Sequence, residues 1–170
     1  MNQEVARVGG KNEADFFNPP NIPDSFKKAV GVVQVAMGRL GFLHRKVYNV
    51  LLANAYEGLG QGKTSFAIPV RTLAELSGFE SNDFQMLYDH GLDLVRTEVE
   101  FIDFDSKTAR KGRGKRRRGA TTLISDFVVV EGSMVTYSYS PEMAKKVYEP
   151  EQYVWMAISA QNRFSSKYEL

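Results

Sequence analysis

Residues 71–96 read RTLAELSGFESNDFQMLYDHGLDLVR, and this stretch decides the fold. Arg71 to Ser77 supports a short helix, which Gly78 ends at the position where a left-handed residue is easiest. Asn82 opens a second helix, with Gln85 three residues on as its capping-box partner. Phe84, Leu87, Tyr88, Leu92 and Val95 recur at helical steps and form its expected buried stripe. Two helices joined by a short turn containing a glycine make a helix-turn-helix.

The flanking segments give that motif its setting. Upstream, Leu40, Leu43, Val47, Val50, Leu51 and Ala55 predict a helix over Leu40–Tyr56, with Arg45, Lys46, Asn49 and Asn54 outside its apolar stripe. Gly58, Gly60 and Gly62 stop it, and Ser65–Val70 is a short extended piece closing at Pro69. The valine-rich run Ala29–Met37 favours a strand, because β-branched side chains are stiff at χ1. Phe26, Val30, Val33 and Met37 also share helical spacing, so a helix is the competing reading there. Downstream come strands at Thr97–Phe104 and Thr121–Val130, then a turn at Glu131-Gly132 into Met134–Tyr139. Ser140-Pro141-Glu142 opens a last helix to Val147, with an N-cap serine, proline at the first position and an acid near the positive end. The order predicts an α+β fold, a winged helix whose wing is a β-hairpin with a long tip. Residues 1–28, broken by Gly9-Gly10, Asn18-Pro19-Pro20-Asn21 and Pro23, read as a loosely ordered tail. The winged-helix domain is expected over 29–164, and 165–170 as the start of a further helix.

Composition narrows the class. At 170 residues, 43% apolar and 25% charged, the chain has the make-up of one ordered domain. The absence of cysteine excludes a disulfide scaffold. No apolar run approaches the roughly 18–20 residues of a membrane span, and Met1–Gly10 lacks a signal-peptide apolar region, so the cytosol is the expected place. The net charge of +2 conceals an asymmetry. Lys107–Arg118 holds eight of the 22 basic residues and no acid, leaving the other 158 residues with 14 bases against 20 acids. A cationic segment is carried on an acidic body.

That segment, KTARKGRGKRRR, is the strongest candidate site. Lys107, Arg110, Lys111, Arg113, Lys115, Arg116, Arg117 and Arg118 are of the type that contacts phosphates and releases counterions. Gly112, Gly114 and Gly119 suit a mobile loop, placed where a wing tip would be. If about six of these charges engage double-stranded DNA, the salt slope of binding is near −5. The plain alternative is a charged loop that binds nothing in particular. The second helix of the motif offers Asp83, Asp89 and Asp93, with Glu80 before it, and only Asn82, Gln85 and Arg96 to read bases. Acids facing phosphates oppose binding, so this helix is not expected to be the sequence reader.

Other chemistry is thin. Gly60-Gln61-Gly62-Lys63-Thr64 imitates a phosphate loop, but the pattern needs glycine where Glu57 stands, and it runs from helix to strand. Glu98, Glu100, Asp103 and Asp105 could in principle hold magnesium, but read better as a solvated strand face. His44 and His90 lack partners at metal-ligand spacing. No catalytic residue, metal or cofactor is expected, and the chain reads as a binding protein rather than an enzyme.

Arg45–Ala55 (RKVYNVLLANA), Gly78–Asp83 (GFESND), Thr97–Phe101 (TEVEF), Tyr137–Ser140 (YSYS), Pro150–Tyr153 (PEQY) and Phe164–Tyr168 (FSSKY) form a joint signature when taken in order. With it the chain resembles the replication initiator (Rep) proteins of iteron-bearing bacterial plasmids. Phe101 stands where tryptophan is more usual, Gly41 where a serine or threonine cap is common, and the basic loop is longer than typical. The resemblance implies the first of two tandem winged helices. In that family it is chiefly a dimerisation module that adds backbone contacts at origin repeats, and the second domain reads the repeat. It also implies that dimers repress the initiator's own gene, that monomers start replication, and that host replication proteins are partners. Phe164–Leu170 matches the start of the helix leading to the second domain, so a fragment of a longer protein is expected. For the dimer surface, the hairpin Thr121–Tyr139 is expected to pair through Val128, Val130, Met134, Val135, Tyr137 and Tyr139. Two rival readings are a free-standing transcription regulator and an RNA-binding or interaction module using the basic loop.

Overall fold

Helix α1, Phe42–Gly60, is apolar on almost every side, and a helix of that kind is stable only when enclosed. Val47, Tyr48, Val50, Leu51, Leu52, Ala53 and Ala55 have no exposed surface, so α1 is the axis of the core. The computed structural model of the chain describes residues 22–29, 36–79, 83–105, 115–130, 133–148, 150 and 153–164. Arg45, Lys46 and Asn49, expected outside the apolar stripe, are buried too. Each has a reason to be tolerated there. The Arg45 guanidinium donates to the Met37 carbonyl at 3.0 Å, the Lys46 ammonium lies 4.3 Å from the centre of the Phe42 ring, and Asn49 donates to Gln161 Oε1 at 3.3 Å.

After α1 the chain turns through Gln61–Thr64 into strand β2, Ser65–Pro69, so the glycine-lysine imitation of a phosphate loop is a helix-to-strand turn. Helix α2, Val70–Leu76, and helix α3, Phe84–Arg96, follow and form the expected helix-turn-helix. Gly78 takes φ +73°, the left-handed conformation that ends α2. The cap of α3 differs from expectation. Asp83, not Asn82, is the N-cap, its carboxylate accepting from the Met86 N–H at 3.0 Å, while Gln85 donates to Asp89. The buried face is also rotated: Leu87, Gly91 and Leu94 face inward and Tyr88 is exposed. Gly91 sets this rotation, because the Phe127 ring lies where a side chain on residue 91 would be.

Among the described residues, the remaining strands and β2 form three small antiparallel sheets. The remaining strands are β1 (Ser25–Ala29), β3 (Glu98–Asp105), β4 (Lys115–Thr122), β5 (Asp126–Val129), β6 (Met134–Ser138) and β7 (Tyr153–Ala157). The order β2-β6-β5 makes the winged-helix sheet, with Ile68 opposite Val135 and Phe127 opposite Tyr137. The wing is therefore the β5–β6 hairpin. Among the described residues, strands β3 and β4 pair only with each other, as a separate hairpin inserted between α3 and the wing.

This corrects the expected single strand over Thr121–Val130. Leu123 and Ile124 are consecutive and both fully buried, which breaks the alternation of a pleated strand. The chain dives inward there, Leu123 N–H bonding to Thr97 and Ser125 N–H to Ser138, and leaves one hairpin for the next.

The domain also begins earlier than expected. β1 pairs with β7, and Phe26 and Lys28 are buried in what read as a tail. Desolvation, and secondarily the charge of Arg45, push the Lys28 ammonium down to about 8. Of the strand expected over Ala29–Met37, only Ala29 is in one; Ala36 and Met37 lie in a helical turn, and 30–35 lie outside the described residues. Helix α4, Pro141–Val147, matches expectation, with the Ser140 hydroxyl accepting from the Met143 N–H at 3.0 Å. Strand β7 and the short helix α5, Ile158–Gln161, were not anticipated. The expected helix start at 165–170 lies outside the described residues, as do 1–21 of the expected tail.

Candidate nucleic-acid interface

The basic segment does not form one continuous loop. Lys115–Arg118 are strand residues, paired with Asp105–Ile102 of β3. Lys107, Arg110, Lys111 and Arg113 lie outside the described residues. Because side chains alternate across a strand, the arginine run splits between two faces.

Arg117 points to the inner face, toward α4. Its guanidinium grips Asp103 with two bonds of 2.9 and 3.1 Å and Glu142 with bonds of 3.2 and 2.7 Å. Lys146 adds a 3.1 Å contact to Asp103 and sits 3.7 Å from the centre of the Phe101 ring. The Arg117 hydrogen bond, with help from Lys146, holds the Asp103 carboxyl down at about 2, and Arg117 likewise lowers Glu142. Gly119, expected to keep a loop mobile, is instead a strand residue beneath Phe101, where an added Cβ would come within 2.6 Å of the ring. The Thr121 and Ser140 hydroxyls, 2.7 Å apart, make a second tie between β4 and the start of α4.

Arg116 and Arg118 point to the outer face. Both are exposed, and Arg118 makes a loose 3.7 Å ion pair with Glu100. Glu98 and Glu100 share that solvated face. Lys115 is exposed at the start of the strand. No group of three or more His, Asp or Glu side chains is placed to hold a metal among the described residues.

The acids of the second motif helix have structural roles beside their charge. Asp83 caps α3, and the Asp93 carboxylate accepts from His44 Nε2 at 2.8 Å. His44 and His90, unconnected in sequence, stack with ring centres 4.2 Å apart and join α1 to α3. Arg96 is exposed at the C-terminal end of α3, while Glu80 and Asn82 lie outside the described residues.

The expected pairing surface divides. Val135 and Tyr137 are in the core because β6 is the central strand of its sheet, and Tyr139, just after it, is buried too. The Tyr137 hydroxyl donates to the Leu51 carbonyl at 2.6 Å and accepts from Asn54 at 2.8 Å. Val128 and Val130, about half exposed, are what remains outside, on or just beyond the edge strand β5, with Met134 partly covered. A second exposed apolar group was missed entirely: Tyr153, Val154 and Trp155 on β7, with the Lys27 ammonium 4.6 Å from the Tyr153 ring centre. Its signal in the sequence is the β-prone run Tyr153–Trp155.

A family model described as Initiator Replication protein, WH1, matches residues 25–169. The chain belongs to this family of plasmid replication initiators. The match to the initiator winged-helix domain starts at Ser25, the first residue of β1, and includes both hairpins. No curated protein and no solved structure matches the chain. Among the described residues of the initiator domain, no helix is long and apolar enough to cross a membrane.

Proposed function

We infer that this initiator domain acts in the bacterial cytoplasm as a dimerisation and DNA-backbone-contacting module at plasmid origin repeats, and in repression of the initiator's own gene. It is a binding module without catalytic residues or cofactor; host replication proteins are further partners. The observation that carries the reading is the outer face of the β3–β4 hairpin, where Arg116 and Arg118 stand exposed beyond the acidic body. Charges displayed there suit phosphates, and the acidic face of α3 suits base reading poorly.

The test is a salt titration of duplex binding. Replacing Arg116 and Arg118 with alanine removes about two phosphate contacts, so the slope of log affinity against log salt becomes shallower by about 1.8. The loss is expected to be equal on origin-repeat and random duplexes. A loss confined to one sequence favours base reading by a transcription regulator, and a preference for structured RNA favours the RNA-binding alternative.

For self-association, β5 supports pairing through Val128 and Val130, because an edge strand with exposed valines offers unpaired backbone groups. Val128→Lys is expected to shift sedimentation from dimer to monomer. A parent domain that stays monomeric at high concentration overturns this part of the reading.

A further inference from the structure

Three consecutive arginines would ordinarily be counted as three equivalent phosphate ligands, but their partners differ. Arg116 has an exposed side chain on the outer face, and Arg118 there makes a loose contact to Glu100. Arg117 binds two carboxylates from two different elements, Asp103 on β3 and Glu142 on α4. Lys146 shares Asp103, Lys145 approaches Glu142 at 3.7 Å, and the Phe101 ring lies beneath both Arg117 and Lys146. A planar guanidinium can serve two carboxylates at once, which an ammonium on a flexible stem does far less well.

We propose that Arg117 is a positioning residue rather than a phosphate ligand: it clamps the β3–β4 hairpin to α4, so that Arg116 and Arg118 meet the DNA backbone from one fixed direction. The hairpin has need of such a clamp, since its two strands pair with no other strand among the described residues. An isolated two-stranded hairpin is marginal in water, and its orientation has to come from side-chain ties. This inference rests on the backbone-contact reading above and specifies how the site is held.

The experiment measures duplex affinity across a salt series for four variants of the whole domain, with thermal unfolding run alongside. Arg117→Ala is expected to weaken binding about fivefold, the scale of the penalty for ordering a loosened element on binding, with the salt slope unchanged. Arg116→Ala is expected to make the slope shallower by about 0.9. Glu142→Gln decides the matter by sign. It removes a negative charge, so if Arg117 were a phosphate ligand held back by Glu142, the variant would bind more tightly and with a steeper slope. If Arg117 is the clamp, Glu142→Gln weakens binding as Arg117→Ala does. Arg117→Lys keeps the charge and is expected not to restore affinity; full restoration would overturn the proposal. If Arg116→Ala leaves the slope unchanged, the backbone-contact reading itself fails. If it behaves as expected while Glu142→Gln tightens binding, only the clamp fails.

Discussion

Gly91→Ala is expected to destabilise the domain by about 2 kcal/mol, although it replaces a poor helix former with the best one. Helix propensity alone favours the change by about 1 kcal/mol in a helix interior. Packing opposes it more strongly. A Cβ on residue 91 would lie 2.1, 2.2 and 2.5 Å from three ring atoms of Phe127, a rigid side chain that is itself buried on β5. The ring cannot rotate clear without leaving its place beside Tyr137, so β5 or α3 must move, and overpacking of this kind costs typically 1–3 kcal/mol or more. At 2–4 °C per kcal/mol for a chain of this size, the melting temperature falls by about 4–8 °C. Phe127→Leu in the same background should recover part of the loss, giving a coupling that a double-mutant cycle measures. A Gly91→Ala domain more stable than its parent would show that propensity outweighs the contact.

Gln161→Ala is expected to cost about 3 kcal/mol, read as a lowered urea midpoint with little change in the slope of the transition. Gln161 is fully buried on α5, and its amide works in two directions. Its nitrogen donates to the Leu76 carbonyl at the end of α2 at 2.9 Å, and its oxygen accepts from Asn49 on α1 at 3.3 Å. Leu76 keeps a second donor, Asn162 at 3.1 Å, so its carbonyl is not orphaned. Asn49 is. Its Oδ1 already lacks a partner, and without Gln161 its amide nitrogen loses one as well, inside a site with no exposed surface. Leaving such groups unsatisfied costs about 1–3 kcal/mol each, whereas removing both partners is far milder. The double variant Asn49→Ala, Gln161→Ala is therefore expected to be less destabilised than the sum of the singles. Strict additivity would contradict the pairing.

The helix-turn-helix was legible because its signals are local, a glycine at the end of α2 and a helical period in α3, although the cap falls on Asp83 and not on Asn82. The last helix was legible for the same reason, through Ser140 and Pro141. What the sequence concealed depends on partners far along the chain. Lys28 read as a tail residue because β1 is held by β7, more than a hundred residues later. Asn49 read as solvent-facing because its partner is Gln161. The two hairpins read as one because a run of β-prone residues, Thr121–Val130, carries no mark of a strand that changes sheets except the buried pair Leu123-Ile124. At the candidate site the charge itself was plain. The alternation that sends Arg117 one way and its neighbours the other required the register with β3, which no local rule supplies.

The exposed side chain on β7 has a spectroscopic consequence. Trp155 is the sole tryptophan of the chain, and two-thirds of its surface faces water in the folded domain (66%). Its indole is already in a polar setting, so its emission wavelength shifts little when the core around α1 comes apart. A denaturation curve followed by the wavelength of that fluorescence would therefore understate the loss of the interior. The same placement makes the residue a built-in indicator for any surface that settles on this sheet, with no label added.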